Sequence, residues 1–150
     1  MYIRTFKGHE DLDIVLELER ICFPETGWSR EEYEEIIDDP NLVFYMVFDS
    51  PEENILIADC FAFVNIGGET HFNSNSVHPD YRRMGLGGLM IKLREAAGRL
   101  AGDKKVKVEM SVNNKSSIAM HKKYGYKPTG VIIIEYYRNG DDAMQMEKEL

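Results

Sequence analysis

The stretch of this 150-residue chain best suited to chemistry is Val77-His78-Pro79-Asp80-Tyr81-Arg82-Arg83-Met84-Gly85-Leu86-Gly87-Gly88. Its glycines let successive backbone N–H groups turn toward one point, and the run that follows reads as a helix whose N-terminus adds partial positive charge there. Arg82 and Arg83 bring full charges to the same loop. The combination is an anion site, with a ligand-free glycine turn as the plainer alternative. The spacing is neither GxGxxG nor GxxxxGK followed by Ser or Thr, so neither a dinucleotide fingerprint nor a P-loop is indicated. A second residue of interest is Glu109. In Val106-Lys107-Val108-Glu109-Met110-Ser111 apolar and polar residues alternate, which turns Glu109 away from Val108 and Met110. A solvent-facing carboxylate is the plain reading of such a residue.

Hydrophobic periodicity gives the elements that must position these groups. Ile3–Phe6 alternates weakly and reads as an edge strand. Leu12, Val15, Leu16, Leu18, Ile21 and Cys22 recur at helical spacing across Leu12–Phe23. Pro24 ends that helix, because it disfavours helical backbone at the residue before it. Ser29-Arg30-Glu31-Glu32 is a capping-box pattern opening a short acidic helix toward Asp38. Leu42–Asp49 and Ile55–Ile66 flank the turn-rich Ser50–Asn54, and Gly67-Gly68 leads into Thr70–Val77, so three antiparallel strands follow. Leu86–Leu100 is the strongest helix, with Leu89, Met90, Leu93, Ala96, Ala97 and Leu100 on one side and Lys92, Arg94, Glu95 and Arg99 on the other. Lys105–Ser111 reads as a strand and Ser116–Tyr124 as a short helix. Val131–Tyr137 and Ala143–Glu149 read as a final strand pair around Asn139-Gly140. The order predicts an α/β (α+β) fold with one mixed central sheet of roughly six to seven strands flanked by about four helices.

The length predicts one domain spanning residues 1–150. Net charge is −8, unevenly spread: residues 1–60 carry −12 and residues 61–150 carry +4. An acidic whole argues against general nucleic-acid binding, which needs Lys and Arg to replace counterions on phosphates. The split suits a second part that faces an anionic ligand and a first part that attracts a cation, against the plainer reading of solvated helices. Cys22 and Cys60 form no CxxC pair, so no zinc site or disulfide framework is indicated and a reducing cytoplasm fits. Met1–Phe6 lacks the apolar region of a signal peptide, and no run approaches the ~20 apolar residues of a membrane helix. A cytoplasmic protein free of the membrane is expected.

Arg82-x-x-Gly85-x-Gly87 resembles the Q/R-x-x-G-x-G/A signature of the GNAT superfamily of acyl-coenzyme A-dependent N-acyltransferases. A second segment, Asn114-Lys115-Ser116-Ser117-Ile118-Ala119-Met120-His121-Lys122-Lys123-Tyr124-Gly125-Tyr126, is similar to that superfamily's N-x-x-S/A-x-x-x-Y-x-x-x-G-F/Y segment. The resemblance covers nearly the whole chain. Phe23-Pro24-Glu25 and the segment Glu135-Tyr136-Tyr137 through Ala143 are similar to the branch that acetylates protein N-termini, which includes the RimI-type enzymes. The resemblance implies acetyl-coenzyme A as co-substrate, no metal, and a protein or peptide N-terminus as acceptor. It implies that the loop Arg82, Arg83, Met84, Gly85, Leu86, Gly87, Gly88 holds the coenzyme's pyrophosphate. Asn75, Ser76 and Val77 would bind its pantetheine arm and form the oxyanion hole, and Asn114 would cap the short helix or touch that arm. Phe23, Pro24, Glu25, Tyr136 and Tyr137 would border the acceptor's first residues. A monomer or homodimer, with or without an accessory subunit, fits that branch.

Acetyl transfer to an amine needs a neutral amine, a stabilised oxyanion and a proton for the departing thiolate. An N-terminal amine, with a pKa of about 7.7–8.0, is already partly neutral near pH 7 and asks less of a base than lysine does. By resemblance Glu109 is the general base, acting through water. His121 stands where the signature has Tyr, twelve residues after Glu109, and is the candidate general acid. Tyr124, one helical turn on, is a second candidate donor, against the plainer reading of a core residue, since the family usually has an apolar residue there. The competing readings are an acetyltransferase for a small amine or polyamine, and a coenzyme-binding module without turnover.

Overall fold

Alternation along the strands and a 3.6-residue period along the helices sort the apolar side chains onto the two faces of one sheet. The structure is a computed structural model describing residues 1–150. Its elements are β1 (Tyr2–Thr5), α1 (Leu12–Cys22), α2 (Arg30–Ile36), β2 (Leu42–Phe48), β3 (Leu56–Ile66), β4 (Glu69–Val77), α3 (Leu86–Leu100), β5 (Lys105–Ser111), α4 (Lys115–Lys123), β6 (Lys127–Ile133) and β7 (Ala143–Glu149). The seven strands form one mixed sheet in the order β1-β2-β3-β4-β5-β7-β6. This is the expected α/β architecture.

Leu12, Val15 and Leu18 of α1 and Tyr33 of α2 pack on Phe44, Met46, Phe48 and Phe61. The alternate residues of the same strands, Val47, Ala58 and Cys60, face Leu86 and Met90 of α3. The helices therefore cover opposite faces of the sheet. Ser29 caps α2 in the predicted capping box, its hydroxyl accepting from Glu32 N; such a cap is worth about 1 kcal/mol. Gly67 and Gly68, at φ +61° and +83°, close the two-residue turn between β3 and β4 with Ile66 paired to Glu69, the geometry that matches strand twist.

Two expectations are corrected. The helical period puts Arg94 and Glu95 on the solvent side of α3 and Leu100 on the apolar side, yet the two charged residues are 2% and 4% exposed and Leu100 is 90% exposed. Both charges find partners inside: Arg94 meets carbonyls and Asn75, and Glu95 accepts from the Tyr126 hydroxyl and Lys148 Nζ, each at 2.9 Å. A helical wheel cannot register such partners, because they come from other elements. The sixth strand runs over Lys127–Ile133 rather than Val131–Tyr137. Ile134 and Glu135 turn the chain, Glu135 at φ +52°, so Tyr136 and Tyr137 lie in the β6–β7 loop.

The sheet positions the site through one defect. β4 and β5 pair in parallel only from Glu69 with Lys105 to Phe72 with Val108. A β-bulge shifts the β3–β4 register between Phe61 and Ala62, beside Asn73, and the two parallel strands part beyond it. Asn73–Val77 and Glu109–Ser111 become the walls of an opening.

Candidate active site

The opening is a cleft of about 1030 Å³ running from α3 past the parted strands to the α1–α2 and β6–β7 loops. At one end α3 begins at Gly85, a left-handed N-cap at φ +81° whose first turn no side chain caps. A Cβ on Gly85 would meet open space, so the glycine serves backbone conformation and not packing. The uncapped N–H groups of a 15-residue helix, with exposed Arg82 and Arg83 beside them, form a cradle for an anion. Arg82 Nε donates to Val77 O at 3.1 Å, tying the loop to the end of β4. Met120 of α4 and Tyr124, the residue just after that helix, pack on Gly87 and Gly88, where a Cβ would collide with them.

Glu109 stands on the other wall, half-buried, its Oε1 accepting from Gln145 Nε2 at 3.2 Å. Tyr137 lines the same end. Burial first, then Tyr136 and the negative charges of Glu109 and Asp141, push the Tyr137 phenol up to about 12, so it stays a proton donor at neutral pH. Asp141 holds the β6–β7 loop by accepting from Ser111 Oγ (2.7 Å) and Asn113 Nδ2 (3.0 Å).

His121 lines the cleft but is only 4% exposed. Its Nδ1 lies 2.8 Å from the Ser117 carbonyl, which can only accept, so the proton sits on Nδ1 and Nε2 carries a lone pair. Nε2 has no partner. Burial, and after it the Arg94 charge, lower the pKa, against the Ser117 bond, which raises it. Burial thus favours the neutral ring over the imidazolium in the folded protein.

Of the other predicted residues, Phe23, Asn75, Val77, Leu86 and Asn114 line the cleft. Asn114 caps α4, its side chain accepting from Ser117 N at 3.2 Å. Ser76, Met84, Pro24, Glu25 and Tyr136 are outside the lining. Ser76 is fully buried, its hydroxyl donating to Glu19 Oε2 at 3.2 Å, while Met84 points outward at 66% exposure. Unforeseen lining residues are Glu19, Trp28 and Arg94. Glu19 accepts from Trp28 N (3.0 Å), Tyr33 Oη (3.3 Å) and Ser76 Oγ, pinning the α1–α2 loop to α2 and β4. Burial raises its pKa, against those three bonds. Arg138 then ties the β6–β7 loop to the α1–α2 loop, donating to Gly27 O and pairing with Glu32.

A mixed sheet parted between two parallel strands, with an uncapped helix N-terminus and a carboxylate lining the same cleft, is an arrangement suited to group transfer from an anionic co-substrate. The sequence matches the Acetyltransferase (GNAT) family over residues 12–126, and the chain belongs to that family. It is 25% identical over 138 residues, 91% of this chain and 88% of the other, to a Bacillus subtilis (strain 168) protein assigned as a [ribosomal protein bS18]-alanine N-acetyltransferase. The fold is that of the ribosomal-protein-S18-alanine N-acetyltransferase of Escherichia coli, with TM-score 0.85 and 20% identity, covering 99% of this chain and 92% of that one. Chaetomium thermophilum Naa20, solved with a bisubstrate analogue, has TM-score 0.82 and 23% identity, covering 100% of this chain and 87% of that one. No helix is long and apolar enough to cross a membrane.

Proposed function

We propose that this acetyltransferase acts on the N-terminal amine of a protein or peptide in the cytoplasm, with acetyl-coenzyme A as donor. The observation that carries the reading is the single cleft joining the uncapped α3 terminus to Glu109, Tyr137, Phe23 and Trp28. The residues present fit the coenzyme: the first turn of α3 is free of any side-chain cap, and the loop's two arginines are exposed. The names of the similar proteins, two of them ribosomal-protein-alanine N-acetyltransferases, favour a protein terminus as acceptor.

In this reading the α3 amides with Arg82 and Arg83 bind the diphosphate, and the β4 backbone over Asn75–Val77, unpaired on the β5 side, orients the rest of the coenzyme. When bound, acetyl-coenzyme A supplies a thioester carbonyl for attack. Glu109, fixed by Gln145, takes a proton from the incoming ammonium at Oε1 or Oε2, directly or through water. Tyr137 holds its proton beside Glu109 and borders the acceptor.

Thiol release counted against a panel of N-terminal peptides and small amines tests the function. Release with Ala-, Ser- or Met-starting peptides and none with spermidine is expected. Release with spermidine alone shifts the reading to small amines, and coenzyme binding without release for any acceptor removes turnover altogether. In the same assay Glu109→Gln lowers the rate most near pH 7 and recovers part of it at higher pH, where the amine is neutral by itself.

A further inference from the structure

Glu19 closes the α1–α2 loop on itself and then fastens it to the rest of the fold. Its backbone carbonyl accepts from Phe23 N at 2.8 Å, and its side-chain Oε1 accepts from Trp28 N at 3.0 Å. One residue thus holds both ends of the segment Phe23–Trp28, with Gly27 packed so close that a Cβ there would meet Phe23 O at 2.6 Å and Glu19 Cγ at 3.1 Å. The second oxygen, Oε2, accepts from Tyr33 Oη of α2 at 3.3 Å and from Ser76 Oγ of β4 at 3.2 Å. Ser76 is paired with Asp59 across β3–β4, yet its single proton goes to Glu19 and both Asp59 oxygens stay bare. Glu19 is 2% exposed, and no cation is among the groups that act on it. A carboxylate buried without a cation is a costly way to fill space, and an apolar side chain would serve packing better. What the carboxylate supplies is two oxygens aimed at donors on the loop, α2 and β4.

We propose that Glu19 is a positioning residue for the acceptor amine, holding the Phe23–Trp28 loop against β4 and so fixing Phe23 and Trp28 in the wall of the cleft. The proposal rests on the acetyl-transfer reading above. Phe23 and Trp28 line the same cleft as Glu109. The Glu19 carboxylate is enclosed and bonded on both oxygens, so it acts through the loop and takes no proton from the amine. A loop released from it would have to be ordered each time an acceptor binds, which weakens acceptor binding and leaves the coenzyme end of the cleft untouched. Reach and charge can be separated at this position. In Glu19→Gln the amide oxygen still accepts from Trp28 N, while the amide nitrogen donates to the two hydroxyl oxygens, which rotate to receive it. Glu19→Asp keeps the charge and loses one methylene, so it cannot span the loop and β4 together.

Trp28 is the only tryptophan in the chain, so the first test needs no turnover. Acrylamide quenching of its fluorescence should be several-fold stronger in Glu19→Asp than in the parent protein and unchanged in Glu19→Gln. Equal quenching in all three overturns the proposal. The quenching result does not depend on catalysis, so failure of the acetyl-transfer reading and failure of the latch are told apart. The second test is steady-state kinetics with whichever amine proves to be turned over. Glu19→Asp should raise the acceptor's KM about tenfold, with kcat and the KM for acetyl-coenzyme A within about twofold of the parent, and Glu19→Gln should bring the acceptor's KM back to within about threefold. A normal Glu19→Asp beside an impaired Glu19→Gln would make charge the working feature and overturns the proposal, as does an equal rise in both KM values. Tyr33→Phe and Ser76→Ala each remove one donor from Oε2 without altering the cleft lining, and they carry the test where Glu19→Asp does not fold. Each should raise the acceptor's KM about two- to threefold; an unchanged value in both ends the positioning role.

Discussion

Arg94 Nη2 on α3 donates to Asn75 Oδ1 on β4 over 2.9 Å, and the same guanidinium donates from Nη1 to Ser74 O at 3.1 Å and Phe61 O at 3.5 Å. It lies 4.0 Å over the Phe72 ring. These partners sit around the bulge where β4 leaves β5, so a buried cation supports the backbone that the parting would otherwise leave short of donors. The helix that presents the anion cradle thus braces the wall of the cleft.

Arg94→Met keeps the bulk and removes the fork. We expect a loss of about 1–3 kcal/mol of stability in urea unfolding, from carbonyls left without a donor. Arg94→Lys should recover little, since one ammonium cannot span the three oxygens. Removing the Arg94 charge should also raise the His121 titration, because that charge lowers it in the parent protein. An unchanged His121 titration in a folded Arg94→Met protein would detach the two residues.

The elements were legible where local pattern decides them. Leu86–Leu100 and Ala143–Glu149 have the boundaries expected from period and turn residues, and Gly85 and Gly87 lie where a loop must meet a helix. Arg94, Glu95 and Glu19 are not legible as interior groups, because their partners outside their own helices are 9 to 57 residues away in sequence. β6 slipped because the apolar run Val131–Ile134 outweighed the turn at Glu135, whose positive φ no residue type announces. Trp28 is not legible as a site residue, because a lone aromatic in a loop carries no period. Its ring packs edge-on to Phe61 at 5.0 Å, beside the cleft.

Gly88 and Tyr124 form a size-matched pair between α3 and α4. A Cβ on Gly88 would run into the Tyr124 ring and hydroxyl, so Gly88→Ala should cost about 1–3 kcal/mol and weaken coenzyme binding by displacing α4 from the cradle. Combining it with Tyr124→Leu should restore much of both. Calorimetry of coenzyme A with the two single variants and the double variant measures the coupling, and additive losses would mean that the two side chains do not meet.

Arg138 bridges the two loops at the acceptor end through Gly27 O and Glu32. Both charges are substantially exposed, so Arg138→Ala should change stability by less than about 0.5 kcal/mol. The effect belongs in catalysis: a several-fold rise in the acceptor's KM, with the KM for acetyl-coenzyme A unmoved. Equal changes in both constants would place the bridge outside acceptor binding.

Asp59 on β3 is fully buried, and neither carboxyl oxygen has a hydrogen-bond partner. Burial, and then the nearby charge of Glu19, hold its pKa well above the ordinary 3.8. A folded pKa raised above the unfolded one contributes stability that is complete below the unfolded value and is lost as pH rises through the folded one. Between the two values the native state keeps a proton that the unfolded chain has released, so this group alone lowers stability by about 1.4 kcal/mol per pH unit. Asp59→Asn removes that slope. Whatever constant the amide adds or subtracts, unfolding free energies measured from pH 4 upward should diverge in favour of the variant, and the divergence should stop at the folded pKa. Parallel curves for the two proteins would mean that Asp59 is ionised in the folded state.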